Sequence, residues 1–262
     1  MRNLRFIMTL FKLRLARSMV FRLSFFGALF IDGSLFILQL LMFNAIYSQV
    51  DTIGGWVRGE VLVFVGTFSL VNAINMTVFF FGLIEIPYKV QNGALDHYLT
   101  KPMNPLLRLT FESIDIGSSP LILLSIVIIL YGVTVQGAVI TPQSIILYIV
   151  FILLMTLLWY DLSLIMRTIS LFVIAADTLF ELEGSFIELC MKIPGVVFQG
   201  VYKLLFCFLL PYGLIATVPT QILLGTTTPA GILYAGVIVL IFTVFAQRFW
   251  RFGLKRYKSA SS

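Results

Sequence analysis

Ionisable and amide side chains are scarce in the apolar runs of this sequence, so the few that occur there are the first candidates for chemistry. Five of them are candidates for a pathway or an intramembrane polar site: Asp32, Asn72, Asn75, Glu112 and Asp115. Charged groups inside a membrane are costly, and they pair with one another or line polar routes. For Asp32 both roles stay open: a structural carboxylate, or the polar lining of a translocation pathway. Asn72 and Asn75 are nearly one turn apart and suit hydrogen bonds between helices.

Several charged residues have spacings that favour ion pairs. Arg108 precedes Glu112 by four residues, which is the spacing of an ion pair on a helix, and Asp115 follows Glu112 by about one turn. Asp161 and Arg167 are a second candidate pair, although six residues is a poor spacing for it. We interpret Arg108, Glu112 and Asp115 as structural anchors of one helix end.

Catalysis and metal binding have little support in the sequence. Intramembrane catalysis requires clustered acids, Ser/His pairs or metal ligands, whereas His97 is the only histidine and stands in a polar loop. The two cysteines, Cys190 and Cys207, lack metal-ligand spacing. No G-x-x-x-x-G-K-[ST] phosphate loop occurs in the chain, so any ATP and Mg²⁺ must bind another polypeptide. We therefore expect no catalytic residue, no metal site and no cofactor on this chain.

The composition predicts an all-α integral membrane protein that forms a single transmembrane domain over residues 1–262. Apolar residues make up 60% of the chain and charged residues 11%, and the mean hydropathy is +1.02. A helix of roughly 20 apolar residues crosses a bilayer. Runs of about this length predict six spans, at 23–49, 60–83, 109–133, 143–166, 201–218 and 230–248.

The distribution of Lys and Arg predicts the orientation of the spans. Of the 18 in the chain, residues 1–22 contain six and residues 248–262 contain five, while the connections at 134–142 and 219–229 contain none. Basic residues favour the cytoplasmic side, so both termini and the loop at 84–107 are expected there. The periodicity of 1–22 predicts an amphipathic helix on the membrane surface. Anionic lipid explains the basic charge, and we expect no nucleic-acid partner.

The segment 167–200 is apolar but carries four acids, which make a poor span: Asp177, Glu181, Glu183 and Glu188. We predict a helix at 171–191 along the cytoplasmic interface, interrupted near Gly184 and closed by Pro194. The alternative is a fifth span within this segment, which would turn 201–218 into a re-entrant pair.

The polar loop at 84–107 is predicted to contain one short helix. Asn92-Gly93 is a turn dipeptide, Pro102 ends the helix, and Asn104-Pro105 resembles an N-cap followed by proline at the first helical position. Leu95, Tyr98 and Leu99 share one face of this helix. We predict that they form an apolar knob, which would require a socket on a partner.

Two patches resemble the permease subunits of type-2 ABC exporters, the bacterial six-span group. Residues 93–106, GALDHYLTKPMNPL, resemble that group's G-x-L-D-x-x-L-x-K-P-x-N-P-L loop, and residues 209–225, LLPYGLIATVPTQILLG, resemble its pattern near the fifth span. In that group the loop is a coupling helix that contacts the ATP-binding subunit. The resemblance implies this role for Gly93, Leu95, Asp96, His97, Tyr98, Leu99, Lys101 and Pro102.

The same resemblance implies further properties of the protein. A permease of this group lies in the bacterial inner membrane, pairs with an identical or different permease, and is driven by separate ATP-binding subunits that hold ATP and Mg²⁺. The alternative is a secondary transporter, or another polytopic membrane protein, without an ATPase partner. The transported substrate does not follow from the sequence.

Overall fold

The structure is a computed structural model that describes residues 22–173 and 177–257. Within these ranges the regular elements are helices, apart from an isolated bridge between Ile53 and Trp56. The all-α prediction is therefore confirmed. Residues 1–21 of the predicted interfacial helix, and residues 258–262 of the basic tail, lie outside the described residues.

Four helices of the described chain are long and apolar enough to cross a membrane. They are α2 (Arg58–Gln91), α5 (Ile116–Gln136), α6 (Pro142–Leu171) and α10 (Pro229–Arg256). These helices fall on the predicted spans at 60–83, 109–133, 143–166 and 230–248. Helix α1 (Arg22–Tyr47) occupies the first predicted span. By length and composition the number of spans is four, or five if a bent helix pair counts as one, so the prediction of six is not reached on this criterion.

The boundaries of the second and third predicted spans are wrong. Helix α2 continues to Gln91 because Pro87 lies in the first turn of the segment Ile86–Gln91, where a missing N–H is tolerated. The predicted third span is divided between α4 (Pro105–Glu112) and α5, with a break at Ser113. The predicted cap is confirmed: the Asn104 side chain accepts hydrogen bonds from the backbone N–H groups of the second and third residues of α4.

Small residues allow α2 and α5 to pack closely along their length. A Cβ atom added to Gly132 would lie 2.7 Å from the backbone nitrogen of Val63, and one added to Gly66 would lie 2.9 Å from the backbone nitrogen of Ile129. A Cβ on Gly59 would lie 2.7 Å from the backbone of Gln136. Glycine at these positions lets the two backbones approach, as in tightly packed membrane helices.

The ends of the helices lie at two opposite ends of the bundle: the loop end, which carries the loop 84–107, and the far end. At the loop end of the bundle, Gly253 of α10 packs against Thr168 and Leu171 at the end of α6, and the short helix α3 (Asp96–Leu99) lies there as well. At the far end, Gly59 at the start of α2 meets Gln136 at the end of α5. The loop 84–107 and the end of α10 therefore lie at the same end of the bundle.

Helix α7 (Asp177–Lys192) runs between these two ends. Near its middle, Glu183 contacts Arg167, which lies about one turn before the end of α6 at the loop end. At its other end, Met191 accepts a hydrogen bond from Gln39 of α1, with Nε2 and O 2.7 Å apart, and Val197 beyond it packs against Gly54 in the connection that precedes α2. These contacts place α7 alongside the long helices and correct the expectation of a helix lying across their ends.

Two details of the segment 167–200 also differ from expectation. Residues 167–171 complete α6, and α7 passes through Gly184 without interruption. The helix then ends at Lys192, two residues before Pro194, close to the predicted closure. The interfacial position of this helix was predicted from four acids, which were treated as equally exposed. In the structure Glu183 is buried against a cation, whereas the other three acids lie on the exposed side of α7.

The predicted fifth span is a bent pair of helices, α8 (Gly200–Leu209) and α9 (Pro211–Leu223), which meet at 82°. Pro211 restricts Leu210, whose φ of −128° and ψ of 76° are not helical. The chain enters α8 from Val197 at the far end, and α9 leads back to Pro229, which starts α10 at that same end. A pair bent in this way is a broken span or a re-entrant loop, and the position of both its ends at the far end favours the re-entrant alternative for 201–218.

Candidate functional site

The turn from α2 into α3 is built on Gly93. Its φ is 73°, in the left-handed region that glycine adopts without strain, and the turn predicted from the Asn92-Gly93 dipeptide is formed here. The Asn92 side chain accepts a hydrogen bond from the N–H of Ala94. The N–H of Leu95 then donates to the carbonyl of Lys89 in α2, at 2.9 Å. The direction of α3 is thus fixed by backbone contacts.

The side chains of Leu95 and Tyr98 point into the bundle. They are 0% and 8% exposed, and they belong to an apolar cluster that includes Ile86, Leu109 and Trp250. The prediction of an outward apolar knob is therefore wrong for these two residues. The apolar face of α3 instead covers the end of its own bundle, which the neighbouring helices leave uncovered.

The outward surface of the loop consists mostly of polar residues. Leu99 is 39% exposed and is the one member of the predicted knob that faces outward. The other exposed residues of the predicted coupling set are His97, Lys101 and Pro102, while Gly93 and Asp96 are partly exposed. A partner that docks here meets one leucine within a polar and basic surface.

A polar cluster holds α3 against α2 and α4. The Tyr98 hydroxyl donates to Oε1 of Glu112 at 2.8 Å, and Nε of Arg108 lies 3.3 Å from Oε2 of the same carboxylate, which confirms the predicted ion pair. Lys89 pairs with Glu85 at 2.7 Å. Burial, and next the hydrogen bond to Glu112, raise the pKa of Tyr98, so the hydroxyl keeps its proton.

The end of α10 reaches the same loop. Burial of Tyr257, followed by the nearby carboxylate of Asp96, raises the pKa of the Tyr257 hydroxyl. Leu254 and Tyr257 also pack against the apolar cluster beneath α3. The loop is therefore in contact with α2, α4 and the last long helix.

Asp115 is a capping residue and is not stacked one turn from Glu112 on a common helix. Its carboxylate accepts hydrogen bonds from the N–H of Gly117 and the hydroxyl of Ser118, at 3.1 and 2.9 Å. Its own N–H donates to the carbonyl of Thr77 at 3.0 Å. Thr77 lies in a π-helical turn of α2, Met76–Phe80. The break between α4 and α5 is therefore docked onto this turn, which explains why the predicted third span divides here.

A second polar cluster connects α6, α7 and the bent pair. Nη1 of Arg167 lies 2.9 Å from Oε2 of Glu183, and both residues are buried. Oε1 of Glu183 accepts hydrogen bonds from the hydroxyls of Tyr212, at 2.9 Å, and Ser163, at 3.2 Å. Asp161 instead accepts a hydrogen bond from the hydroxyl of Thr243. The predicted Asp161–Arg167 pair is therefore wrong. Two contacts were not predicted from the sequence: Glu183 as the partner of Arg167, and Tyr212 as a hydrogen-bond donor to Glu183.

The intramembrane candidates have different outcomes. Asn72 and Asn75 line a cavity between α2 and α7, and the Oδ1 atom of Asn75 is buried without a hydrogen-bond partner among the described residues. The expected hydrogen bond between helices is therefore not formed through this atom. Asp32 lies in α1, but its side chain lies outside the described part of the structure.

Nowhere in 22–173 or 177–257 do three His, Cys, Asp or Glu residues converge as metal ligands would.

Together, the long apolar helices and the bent pair are typical of a multi-pass membrane protein. A comparison with family models identifies the family: the model described as ABC-2 family transporter protein matches residues 34–261. The chain belongs to this family, as the resemblance of residues 93–106 and 209–225 implied. No curated protein and no solved structure matches the chain.

Proposed function

We propose that the chain is the permease subunit of an ABC exporter, which forms half of a dimeric pathway and is driven by separate ATP-binding subunits. Family membership supports the permease role. The absence of a phosphate-loop motif from the sequence supports a division of labour, because ATP and Mg²⁺ would then bind the partner subunits. In this proposal the chain itself is not an enzyme. Its second permease is either an identical or a different chain.

One observation carries the proposal: the loop 93–102 is exposed on its outer side and tied to several helices on its inner side. Leu95 and Tyr98 fasten it to the bundle, and Leu99 and Lys101 face outward. A partner that moves this outer surface would move α2, α4 and the end of α10 together. That is the mechanical requirement for coupling ATP hydrolysis to a membrane pathway.

The proposed topology has six crossings with both termini in the cytoplasm of a bacterial cell. The crossings are α1, α2, α5, α6, α7 and α10, with α8 and α9 re-entrant from the outside. Helix α7 has 16 residues, about 24 Å at 1.5 Å per residue, and the residues after it extend its path to the far end. The basic residues near the chain ends and in the loop 84–107 then face the cytoplasm.

Purification from native membranes tests the proposal. A tagged chain should retain an ATP-binding polypeptide, identified by mass spectrometry through its phosphate-loop sequence, and the complex should hydrolyse ATP. The chain alone, separated from that polypeptide, should hydrolyse none. Hydrolysis by the rigorously purified chain, or a native complex that contains no ATP-binding subunit, would contradict the proposal.

A secondary transporter is the second candidate, and the 82° bend between α8 and α9 favours it, since such transporters use broken helices at their binding sites. The purification separates the two candidates: transport by the reconstituted chain alone, driven by an ion gradient, would favour the secondary transporter.

A further inference from the structure

A cavity of about 720 Å³ lies between α2, the end of α6 and α7. Its walls combine apolar and polar side chains, among them Asn75, Phe80, Trp159, Asp177, Phe180 and Glu181. Tyr88 and Gln91, near the end of α2, also line it, so the cavity extends toward the loop end of the bundle. A volume of this size suits a drug-sized molecule.

The amide of Asn75 supplies an unused acceptor at this cavity. The residue is 1% exposed, it belongs to the lining, and its Oδ1 atom has no hydrogen-bond partner within the described structure. A buried polar atom without a partner is costly, and buried side-chain polar atoms in native proteins are nearly always paired. A ligand with an N–H or O–H donor would satisfy the Asn75 oxygen.

The charges at the cavity favour a cation. Arg167 and Glu183 are both in the lining and neutralise each other at 2.9 Å. Asp177 and Glu181 also belong to the lining, are exposed, and form no ion pair with any residue in the described ranges. Two carboxylates at the rim therefore leave the cavity with a net negative charge. Phe80, Trp159 and Phe180 add aromatic surface that suits the apolar body of a ligand.

We propose that this cavity binds the molecule that the protein transports, and that this molecule is an apolar organic cation with N–H donors. The role in transport rests on the proposed function, whereas binding of the cation does not. In the bound state the apolar body contacts the aromatic walls, an N–H group donates to the Asn75 carbonyl, and the positive charge faces Asp177 and Glu181.

Two dyes that share a xanthene ring system test the ligand chemistry. Rhodamine 6G is a cation with N–H donors, and fluorescein is an anion. Each dye is titrated with the full chain in nanodiscs of zwitterionic lipid, and fluorescence polarisation is measured against empty nanodiscs. Rhodamine 6G should bind saturably, and fluorescein should not. Equal binding of the two dyes, or no saturable binding of rhodamine 6G, would overturn the proposal.

Variants then locate the site. Asn75→Leu keeps the branched shape of the side chain but removes the acceptor, and it should weaken rhodamine 6G binding by about tenfold. Asp177→Asn combined with Glu181→Gln should weaken it by about threefold to tenfold. Glu188→Gln is the matched control: it removes an exposed carboxylate from the same helix, outside the cavity lining, and should leave affinity unchanged.

Wild-type affinity in the rim double variant would overturn the proposal, even if Asn75→Leu failed to fold, because the two rim residues are exposed and their substitution leaves the bundle intact. Different results would contradict the proposed function and the cation site. A chain that binds rhodamine 6G at this cavity but has no ATP-binding partner would contradict the exporter role alone. An ATP-hydrolysing complex whose permease does not distinguish the two dyes would contradict the cation site alone.

Discussion

The hydroxyl of Tyr212 donates a hydrogen bond to the carboxylate of Glu183 at 2.9 Å, and this contact joins the bend of the re-entrant pair to the middle of α7. The same carboxylate pairs with Arg167 near the end of α6. One buried anion thus connects three elements that are separated in the sequence. Its burial is possible because a cation and two hydroxyls replace the water that the carboxylate would otherwise require.

We expect Glu183→Gln to destabilise the protein strongly. The substitution leaves the buried Arg167 guanidinium without its counter-ion, and breaking a buried pair in this way costs about 3–5 kcal/mol. The measurement is thermal unfolding of the purified chain in detergent, followed by tryptophan fluorescence.

Glu188→Gln provides the control for this prediction. Glu188 lies on the same helix and forms an exposed pair with Lys192, so its loss should not change the unfolding temperature measurably. Equal unfolding temperatures for Glu183→Gln and Glu188→Gln would show that the buried pair contributes no more to stability than the exposed pair.

Gly132→Leu should force α2 and α5 apart. A Cβ atom at this position would lie 2.7 Å from the backbone nitrogen of Val63, which cannot move aside as a side chain can. We expect a lower unfolding temperature and less folded protein after size-exclusion chromatography. Gly236→Leu is the matched control, because nothing lies within 4 Å of a Cβ atom at Gly236 in α10. Identical behaviour of the two variants would argue against close packing of α2 and α5.

Local features of the loop could be predicted from the sequence because they depend on neighbours in the chain. The Asn104 cap, the left-handed Gly93 and the Arg108–Glu112 pair each involve residues within four positions of one another. Propensity and spacing are sufficient for such features. The positions of the long apolar helices followed from the length of the apolar runs in the same way.

Features that depend on distant contacts could not be predicted. An apolar face at Leu95 and Tyr98 is visible in the sequence, but its pattern does not indicate whether the face covers its own chain or a partner. The partners of Asp161 and Glu183 in α10 and the bent pair lie 82 and 29 residues further along the chain. The sequence shows four acids in 167–200, and only tertiary packing determines which of them is buried.

Gly93→Val should misdirect α3. A β-branched residue in the left-handed region costs roughly 1–2 kcal/mol more than glycine, and here φ is 73°. The long helices make no use of this conformation, so we expect the variant to insert normally but to bind the ATP-binding subunit more weakly. Gly93→Asn is the control, since asparagine tolerates this region better. Co-purification of the ATP-binding subunit is the readout, and equal retention by both variants would contradict a role for the turn.

Leu95 and Leu99 lie four residues apart, and substitutions at them test two roles of the loop separately. These roles are packing against the bundle and docking on the ATP-binding subunit. Leu95 is 0% exposed, so Leu95→Asp places an unpaired carboxylate in the apolar cluster, with the desolvation cost of a buried charge. We expect a large fall in the unfolding temperature of the chain alone. Leu99 is 39% exposed, so Leu99→Asp should leave that temperature nearly unchanged.

The effect of Leu99→Asp should instead appear in the complex. If the outer surface of the loop docks on the ATP-binding subunit, this variant should lose that subunit on purification, or lose the transport-linked stimulation of ATP hydrolysis. Lys101→Glu reverses a charge on the same surface and should act in the same direction. Gln143→Glu is the control: it adds a charge at an exposed side chain at the start of α6, at the far end of the bundle and outside both the loop 93–102 and the cavity lining. If Leu99→Asp and Lys101→Glu both retain the subunit and the wild-type rate of transport, the coupling role of this loop is wrong.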